Sequence, residues 1–403
     1  MQQLKKILFV HHVSVIGGAS YCMLNIIKAI DRKMFIPVVL LRNDGPLVEE
    51  LKKLNVEVYF CPTLWSYPYN QSLYRIRSLI TIFNLYRSLD DFETSVKKCC
   101  PDIVYLNNTF LFPYLKITQK LRIKSVIHIR EHWPNGKHQK QFGYIQQEIL
   151  CHADRIIAIN DYSARMISPS LTKTTIVYDW IDMKTRYRSI PMSDIIGEDC
   201  SSKKVLLFTG GQSYIKGTDY ILEAFSKYVK GDEYRLLLLG GDSVISLKGW
   251  KALVKKLLEM AGYVGFSKKV KDLIASDYRI KCVPAIFELS NIIEQSHCFV
   301  SYFRVPHANL GLAENIILCN PCIAAKTEES LEYTNNGEYA LLVEPNKVDE
   351  FGKQLQGFLQ DIDRWKQASK KGVEYLSNKF MPDENIKKLN SVLFSLSADA
   401  EVR

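Results

Sequence analysis

Short apolar runs alternate with segments of helical periodicity along most of the chain. The first run spans 5–10, and after a glycine turn apolar residues recur at helical spacing from Tyr21 to Ile30, which predicts a strand, a loop and a helix. Twelve further strand-like runs follow, at 35–41, 56–60, 103–106, 124–129, 155–159, 175–178, 205–208, 234–239, 279–283, 298–302, 322–325 and 340–343. Helix-length segments separate most of them, and this alternation predicts an α/β fold with parallel sheets covered by helices.

The pattern weakens between Met183 and Ser202, where Ile190-Pro191 and a polar stretch interrupt any period. A chain of 403 residues is long enough for two domains at roughly 100–200 residues each. We therefore predict two doubly wound domains, residues 1–185 and 186–403, with the last helix crossing back to the first domain. Ligands of such sheets bind beside the carboxyl ends of the strands, so a cleft between the domains is the predicted active site.

Composition places the chain among ordinary globular proteins and narrows its partners. Hydrophobic residues make up 47% and charged residues 24%, which excludes a disordered or low-complexity chain. The formal net charge of +10 favours anionic partners, but no nucleic-acid-binding module is recognisable, and we expect no nucleic acid. The ten cysteines lack the paired spacing of zinc sites, and no apolar run is long enough to span a membrane. We expect a cytoplasmic protein, soluble or peripheral on the inner face of the plasma membrane.

One glycine turn follows the first strand of each predicted domain. Gly17-Gly18 opens the first predicted helix, and Gly210-Gly211 precedes Lys216 and a helix that begins near Thr218. Backbone amides and the positive end of a helix can bind a phosphate at such a turn, and a lysine adds a point charge. Alternatively, the glycines form ordinary tight turns and Lys216 is a solvated loop residue.

A third candidate segment lies between the predicted strand at 298–302 and the next helix. Its loop residues are His307, Asn309, Leu310 and Gly311. Glu314 follows in the first turns of the helix, where a carboxylate can accept hydrogen bonds from sugar hydroxyls. The alternative role of Glu314 is to complement the helix dipole, which contributes about 0.3–1 kcal/mol.

Together these segments resemble the retaining glycosyltransferases of family 4 (glycosyl transferases group 1), whose GT-B fold has two facing Rossmann-like domains with an interdomain cleft. The resemblance extends over nearly the whole chain. The matching segments are Gly17-Gly-Ala, Pro101-Asp-Ile-Val-Tyr-Leu-Asn107, Ala153-Asp-Arg-Ile-Ile-Ala-Ile159, Ile176-Val-Tyr-Asp-Trp-Ile-Asp182, Lys216-Gly217 and Glu314. Lys216 resembles the family's diphosphate-binding lysine, and Glu314 resembles the second glutamate of its E-x7-E motif.

The resemblance implies transfer of a sugar, with retention, from a nucleotide-diphosphate sugar to a carbohydrate or lipid-linked acceptor, without a metal or cofactor. A UDP-sugar is expected in preference to a GDP-sugar, and the expected role is cell-surface polysaccharide or glycolipid synthesis. The implied catalytic residues are Glu131, Lys216 and Glu314. The implied substrate-binding residues are Gly17, Gly18, Gly210, Gly211, Arg304, His307, Asn309, Leu310 and Gly311.

The donor segments depart from the family pattern at two places. Pro306 stands eight residues before Glu314, where the family has its first glutamate, and Gly211 replaces an arginine that often stands five residues before the lysine. Arg304 ends a predicted strand beside the same cleft and is a candidate to supply the missing charge. These departures leave a second hypothesis open, in which the chain keeps the fold and binds a nucleotide or glycan without turnover.

A further departure lies at the end of the strand at 124–129. The family often has His-Asp near the reacting sugar, and this chain has Arg130-Glu131. Glu131 then resembles the acidic member, with His128 or His132 as a neighbour. Alternatively, Glu131 is a surface carboxylate paired with Arg130.

The segment from Leu64 to Arg87 interleaves aromatic and aliphatic residues with three arginines, Arg75, Arg77 and Arg87, and has no acid before Asp90. Such a segment can lie in the interface of an anionic membrane, or it can pack as a long helix with an arginine edge.

A possible metal motif is Asp361-Ile-Asp363, which has the letters of the Asp-x-Asp sequence that holds a divalent cation in the other large glycosyltransferase fold. Its context is the start of a helix, so we interpret it as capping and dipole complementation and predict no metal site.

Overall fold

The computed structural model describes residues 4–68, 76–132, 139–181, 190–240, 265–284, 286 and 289–401. The chain divides into two compact units, Met1–Trp180 with Phe380–Arg403, and Ile181–Lys379. The division between the units therefore falls at residue 180, close to the predicted position at 185, and the C-terminal segment belongs to the first unit.

The first unit is built on a parallel sheet of seven strands. They are β1 (Lys5–His11), β2 (Phe35–Leu41), β3 (Glu57–Phe60), β4 (Ile103–Leu106), β5 (Lys124–Ile129), β6 (Arg155–Ala158) and β7 (Thr174–Ile176), in the order β3-β2-β1-β4-β5-β6-β7. Alternate residues of β1 enter different cores, Leu8 and Val10 on one face and Ile7 and Phe9 on the other. Both faces of the sheet are covered, as parallel sheets require.

Helices cover both faces of this sheet, and each helix is named by its first residue below. They are Gly18–Ala29, Pro46–Lys53, Ile76–Cys99, Leu115–Lys120, Gln139–His152, Asp161–Ile167 and Pro382–Glu401, with a 3-10 helix at Thr109–Tyr114. The Pro382 helix packs Leu389 and Leu393 into the same core as Ile7 and Phe9. This burial explains why the end of the chain belongs to the first unit.

The second unit contains a parallel sheet of six strands. They are β8 (Lys204–Phe208), β9 (Tyr234–Leu239), β10 (Ile280–Val283), β11 (Cys298–Ser301), β12 (Cys322–Ala325) and β13 (Leu341–Val343), in the order β10-β9-β8-β11-β12-β13. Its described helices are Met192–Ile196, Thr218–Tyr228, Phe266–Ser276, Leu289–Gln295, Leu310–Ile317, Glu328–Tyr333, Val348–Gln360 and Ile362–Phe380, the last ending at the unit boundary.

The structure confirms the predicted fold class of two Rossmann-like α/β domains. A strand forms at each of the thirteen predicted runs. Within the predicted linker at 183–202, Met192–Ile196 forms a short helix with Gly197 as its C-cap, and residues 183–189 lie outside the described residues. Within the described residues, no helix combines the length and the apolar character needed to cross a bilayer.

Each sheet has one point where the strand order reverses. In the first unit this point lies between β1 and β4, and in the second unit it lies between β8 and β11. Loops that leave the two neighbouring strands in opposite directions open a crevice at the carboxyl edge, where ligands of doubly wound sheets bind. The glycine turns and Glu314 all follow strands that border these two points.

Candidate functional site in each unit

The loop from Gly210 to Gly217 links β8 to the Thr218 helix and is held by its own hydrogen bonds. Gly211 has a positive φ of 57°, and its N–H donates to the Leu239 carbonyl at 3.1 Å. The Thr218 hydroxyl donates to the Gly211 carbonyl at 2.7 Å. Because a side chain is strained at this φ, the backbone itself disfavours the arginine that the family often has at this position.

Lys216 comes at the end of this loop and directly before the helix cap. Its side chain is half-buried, and burial lowers the pKa of its ammonium group. Among the residues that the structure describes, no carboxylate pairs with this ammonium. A partly desolvated cation without an internal counter-ion, beside a helix N-terminus that has no side-chain cap, is suited to an anionic ligand.

The Leu310 helix begins on the other side of the same crevice. Asn309 caps it, accepting from the Leu312 N–H at 3.3 Å while its amide donates to the Ser301 hydroxyl at 2.8 Å. A Cβ on Gly311 would lie 3.2 Å from the Thr209 hydroxyl oxygen. The glycine thus lets the helix start approach the end of β8, which brings the Gly210 turn and the Leu310 helix together.

The predicted residue His307 lies in the loop between β11 and this helix. Its ring contacts Phe303, with the two ring centroids 5.3 Å apart. Leu310 is the first residue of the helix and is half-buried. Of the predicted loop residues, Asn309 therefore stabilises the local fold, and Leu310 begins the helix that carries Glu314.

Glu314 lies in the second turn of the Leu310 helix and is half-buried. Burial raises the pKa of its carboxyl group to about 7. Within the described part of the chain, no side chain or backbone group donates a hydrogen bond to this carboxylate. An unpaired carboxylate at this edge can accept hydrogen bonds from the hydroxyl groups of a ligand.

We predict that Glu314→Gln stabilises the protein at high pH. The folded-state pKa of about 7 exceeds the ordinary value, so the folded form favours the protonated carboxyl; its contribution is complete below about pH 4.5 and is lost as the pH rises through 7. Denaturant unfolding should show the variant more stable by on the order of 2 kcal/mol at pH 8, and nearly unchanged at pH 4. Equal differences at both pH values would contradict this, and Glu374→Gln, at an exposed position, is the control.

Arg304, which the sequence suggested as an additional charge for this crevice, has an internal counter-ion. Its Nη2 atom lies 2.8 Å from the Asp219 carboxylate, and its side chain is only 8% exposed. The guanidinium also stacks between Tyr214 and Tyr220, with distances of 4.1 and 3.8 Å to the ring centroids. Its guanidinium therefore already has a counter-ion within the protein, the Asp219 carboxylate.

In the first unit, the loop after β1 leads to Gly17 and the Gly18 helix. Gly17 is the N-cap and has no side chain to satisfy the first amides of the helix. A Cβ added to Gly17 or Gly18 would meet no atom within 4 Å. Neither packing nor backbone conformation requires glycine here, and no side chain caps the first amides of the helix.

A buried polar chain connects this loop to the ends of β4 and β5. The Arg130 Nη1 atom donates to both oxygens of Asp179 at 2.9 and 2.7 Å, and its Nε donates to Asn107 Oδ1 at 3.0 Å. Asn107 in turn lies 3.3 Å from Nδ1 of His11, whose Nε2 is 3.1 Å from the Ser20 hydroxyl. This series of hydrogen bonds holds the start of the Gly18 helix against the sheet.

The same contacts define the protonation states of His11 and Arg130. The Ser20 hydroxyl donates to the Val15 carbonyl at 2.8 Å, so His11 donates from Nε2 and accepts at Nδ1 as a neutral ring. Burial lowers the pKa of His11 to about 3, with His12 and Arg130 adding to the effect. For Arg130, burial lowers the pKa but the Asp179 carboxylate more than offsets it, and the net shift is upward.

Glu131 points to a different partner than expected. Its carboxylate accepts from Asn108 Nδ2 at 2.5 Å and from the Thr109 N–H at 3.0 Å, and burial raises its pKa. The alternative prediction, a surface ion pair between Glu131 and Arg130, is wrong because Arg130 is buried and pairs with Asp179. Glu131 instead fixes the turn that follows β4.

The two candidate histidine neighbours of Glu131 also have other partners. His128 Nδ1 lies 2.7 Å from the Tyr105 hydroxyl, and its pKa is lowered by burial and by Arg130. His132 Nε2 lies 2.5 Å from the Ser163 hydroxyl.

Sequence reasoning missed Asp179 as the partner of Arg130. A signal was present, because both positions depart from the family motifs together: Arg130 stands where the family often has histidine, and Asp179 stands where it has asparagine. A charged residue replacing a neutral one at two motif positions is the sign of a new ion pair.

Among the described residues, no group of three or more histidine, cysteine, aspartate or glutamate side chains is arranged to hold a metal ion. Asp363 lies in the first turn of the Ile362 helix, where a carboxylate is favourable.

Solved structures with the same fold cover nearly the whole chain. HepE of Anabaena, determined with UDP and glucose and with UDP-glucose, is 17% identical, covers 98% of this chain and 100% of its own, and has TM-scores of 0.72 and 0.71. Sucrose-phosphate synthase from Thermosynechococcus elongatus is 14% identical, with 98% and 100% coverage and a TM-score of 0.68. The lipopolysaccharide outer core galactosyltransferase WaaB is 16% identical, with 97% and 99% coverage and a TM-score of 0.59.

A comparison with curated protein sequences finds no significant match. Residues 203–361, which contain Lys216, Arg304 and Glu314, match the family model of the glycosyl transferases group 1. The chain therefore has the GT-B fold of two Rossmann-like domains, and the part of the second unit that holds the candidate site carries the sequence pattern of group 1 glycosyl transferases.

Proposed function

We propose that the protein is a glycosyltransferase that uses a nucleotide-diphosphate sugar, with UDP as the nucleotide. The proposal rests on two groups at the same carboxyl edge of the second sheet. Within the described residues, the Lys216 ammonium has no internal counter-ion and the Glu314 carboxylate accepts no internal hydrogen bond. A nucleoside diphosphate offers the anion and the ribose hydroxyls that complement them. The match of residues 203–361 and the UDP complexes of HepE support the same ligand class.

The chemical role of Lys216 follows from its place before the Thr218 helix. When the glycosidic bond breaks, negative charge grows on the departing diphosphate. A fixed ammonium in a partly desolvated site, together with the positive end of the Thr218 helix, stabilises that charge more in the transition state than in the ground state. Glu314 would orient the nucleotide by accepting from its ribose.

We further propose retention at the anomeric carbon, independence of a metal ion, and a carbohydrate or lipid-linked acceptor used in cell-surface polysaccharide or glycolipid synthesis. The similarity to WaaB, a transferase of lipopolysaccharide outer core, supports this class of acceptor. The start of the Gly18 helix, which has no side-chain cap, supports a polar ligand in the first unit.

The test is a panel of UDP- and GDP-sugars incubated with candidate acceptors in EDTA, with the anomer of the product read by NMR. We expect one UDP-sugar to be transferred with retention in EDTA. Activity that EDTA abolishes and Mg²⁺ restores would contradict metal independence. UDP binding without turnover on any acceptor would favour the second hypothesis, a nucleotide-binding protein without transferase activity, and failure to bind any nucleotide would overturn both.

Membrane contact is the second part of the proposed function, and the structure narrows the predicted surface. Leu64 and Tyr67 are buried in the core of the first unit, and Trp65 stacks against Arg42, so the segment from Leu64 to Arg87 is not one continuous surface. Arg75 lies outside the described residues. The exposed part is the first half of the Ile76 helix.

This half-helix presents large apolar side chains to solvent. They are Ile76, Leu79, Ile80, Phe83 and Tyr86, with Ile76 75% and Phe83 60% exposed. The same face carries the exposed Arg77 and Arg87, whereas Leu85 on the opposite face is buried. An apolar stripe flanked by cations fits a bilayer with anionic headgroups.

We predict that Arg77→Glu/Arg87→Glu weakens binding to anionic vesicles by roughly 30-fold, because each basic residue at such a surface contributes about 1 kcal/mol. Cosedimentation with phosphatidylglycerol-containing vesicles measures this, and wild-type binding should fall as salt rises. Lys370→Glu/Lys371→Glu, at exposed positions of the second unit, is the charge-matched control. Wild-type protein that does not bind these vesicles at low salt would contradict the proposal.

A further inference from the structure

We propose that Arg304 is a positioning residue that fixes the Lys216 loop through its backbone, without touching the ligand itself. The inference rests on the proposed function only in taking Lys216 as the diphosphate-binding group. It assigns a role to an arginine whose charge is already neutralised inside the protein.

Arg304 holds the two peptide groups that come directly before Lys216. Its backbone N–H donates to the Ile215 carbonyl at 2.9 Å. Its side-chain Nη1 donates to the Tyr214 carbonyl at 2.8 Å. Two consecutive carbonyls are thus bound by one residue, which fixes the direction in which the chain enters Lys216.

The Arg304 guanidinium is itself held by several contacts. It lies between the rings of Tyr214 and Tyr220 and pairs with Asp219 in the first turn of the next helix. Only a planar group can stack on both faces and donate from its edge to a carbonyl and a carboxylate at the same time. A lysine at this position would keep the charge and lose the stacking and the second donor.

The backbone directly after Lys216 is also restricted in its conformation. Gly217 has a φ of +63°, and a Cβ there would lie 2.5 Å from the Tyr302 carbonyl oxygen. Tyr302 is two residues before Arg304, so the end of β11 contacts the loop on both sides of Lys216. The position of the Lys216 side chain is therefore set by β11 and the residues that follow it.

A second arginine of the same unit provides a matched control. Arg279 pairs with Asp277 at 2.7 Å, donates to the Val229 carbonyl at 2.7 Å and lies 4.8 Å from the Phe225 ring centroid. It precedes β10 and so lies at the amino edge of the sheet, away from Lys216. Its removal should cost similar stability without affecting the Lys216 loop.

The experiment compares Arg304→Met, Arg304→Lys and Arg279→Met in the full chain. The first readout needs no substrate: the pH profile of Lys216 acetylation, followed by mass spectrometry. We expect its midpoint to rise by half a unit or more in both Arg304 variants, because the loosened ammonium becomes hydrated, and to stay unchanged in Arg279→Met. If Arg304→Met does not fold, Tyr220→Leu is tested in its place, because it removes one of the two rings that contact the guanidinium.

The second readout is UDP affinity, which should weaken roughly 10-fold in the Arg304 variants, since a small displacement of a binding group is costly, and less than twofold in Arg279→Met. A Lys216 profile that does not move in the Arg304 variants, or moves equally in Arg279→Met, overturns the positioning role. A profile that moves as expected in a protein that does not bind UDP supports the positioning role and contradicts the proposed function instead.

Discussion

Replacing Asp179 with asparagine should lower the free energy of unfolding by about 3–5 kcal/mol, because it leaves the buried Arg130 cation without its counter-ion. The Arg130 side chain is 5% exposed and that of Asp179 is 17% exposed, so water is a poor substitute for the lost carboxylate beside Arg130. Urea unfolding of the full chain at pH 7 measures the loss. The effect should extend to the Gly17 loop, which Arg130 supports through Asn107 and His11.

The control for this prediction is an ion pair on the surface of the same unit. Asp161 lies 2.6 Å from Arg165, but the two side chains are 39% and 67% exposed, and Asp161→Asn should cost less than about 1 kcal/mol. The double variant Arg130→His/Asp179→Asn, which removes both charges, should recover much of the stability lost by Asp179→Asn. A loss in Asp179→Asn no larger than in Asp161→Asn would contradict the buried ion pair.

Lys216→Ala should reduce kcat for sugar transfer by roughly 100-fold or more, the usual cost of removing one preorganised group that stabilises developing charge. Initial rates with the UDP-sugar identified in the panel measure the effect. Lys227→Ala is the control, because Lys227 lies at the far end of the Thr218 helix and pairs with Asp349 at 2.7 Å on the surface. Wild-type kinetics in Lys216→Ala would show that the diphosphate binds elsewhere.

Much of the fold could be predicted from local pattern. The apolar runs that form β1 and β8 are completely buried on both faces, and such strands are recognisable because polar residues bound them on each side. The glycine turns and Lys216 were also recognisable, since their positions after the first strand of each domain follow from strand order alone. The short Met192 helix was missed because five residues do not establish a period.

The ion pairs of the candidate site could not be predicted in the same way. Arg304 and Asp219 are 85 residues apart in sequence, and Arg130 and Asp179 are 49 apart. Such pairs depend on which segments the topology brings together, and the apolar pattern around each residue carries no information on that; for Arg130 and Asp179 the only signal was that both residues depart from the family motifs. For this reason the ion pair between Arg304 and Asp219 was not predicted.

The most direct measurement of the central claim is calorimetric titration of UDP and UMP into the wild type and Lys216→Ala. The claim is that the Lys216 ammonium binds the diphosphate, so the wild type should bind UDP about 10-fold or more tightly than UMP, as one charged hydrogen bond provides. Lys216→Ala should lose that difference while its UMP affinity stays nearly the same. A wild type that binds UDP no better than UMP, or a variant that keeps the full preference, would contradict the claim.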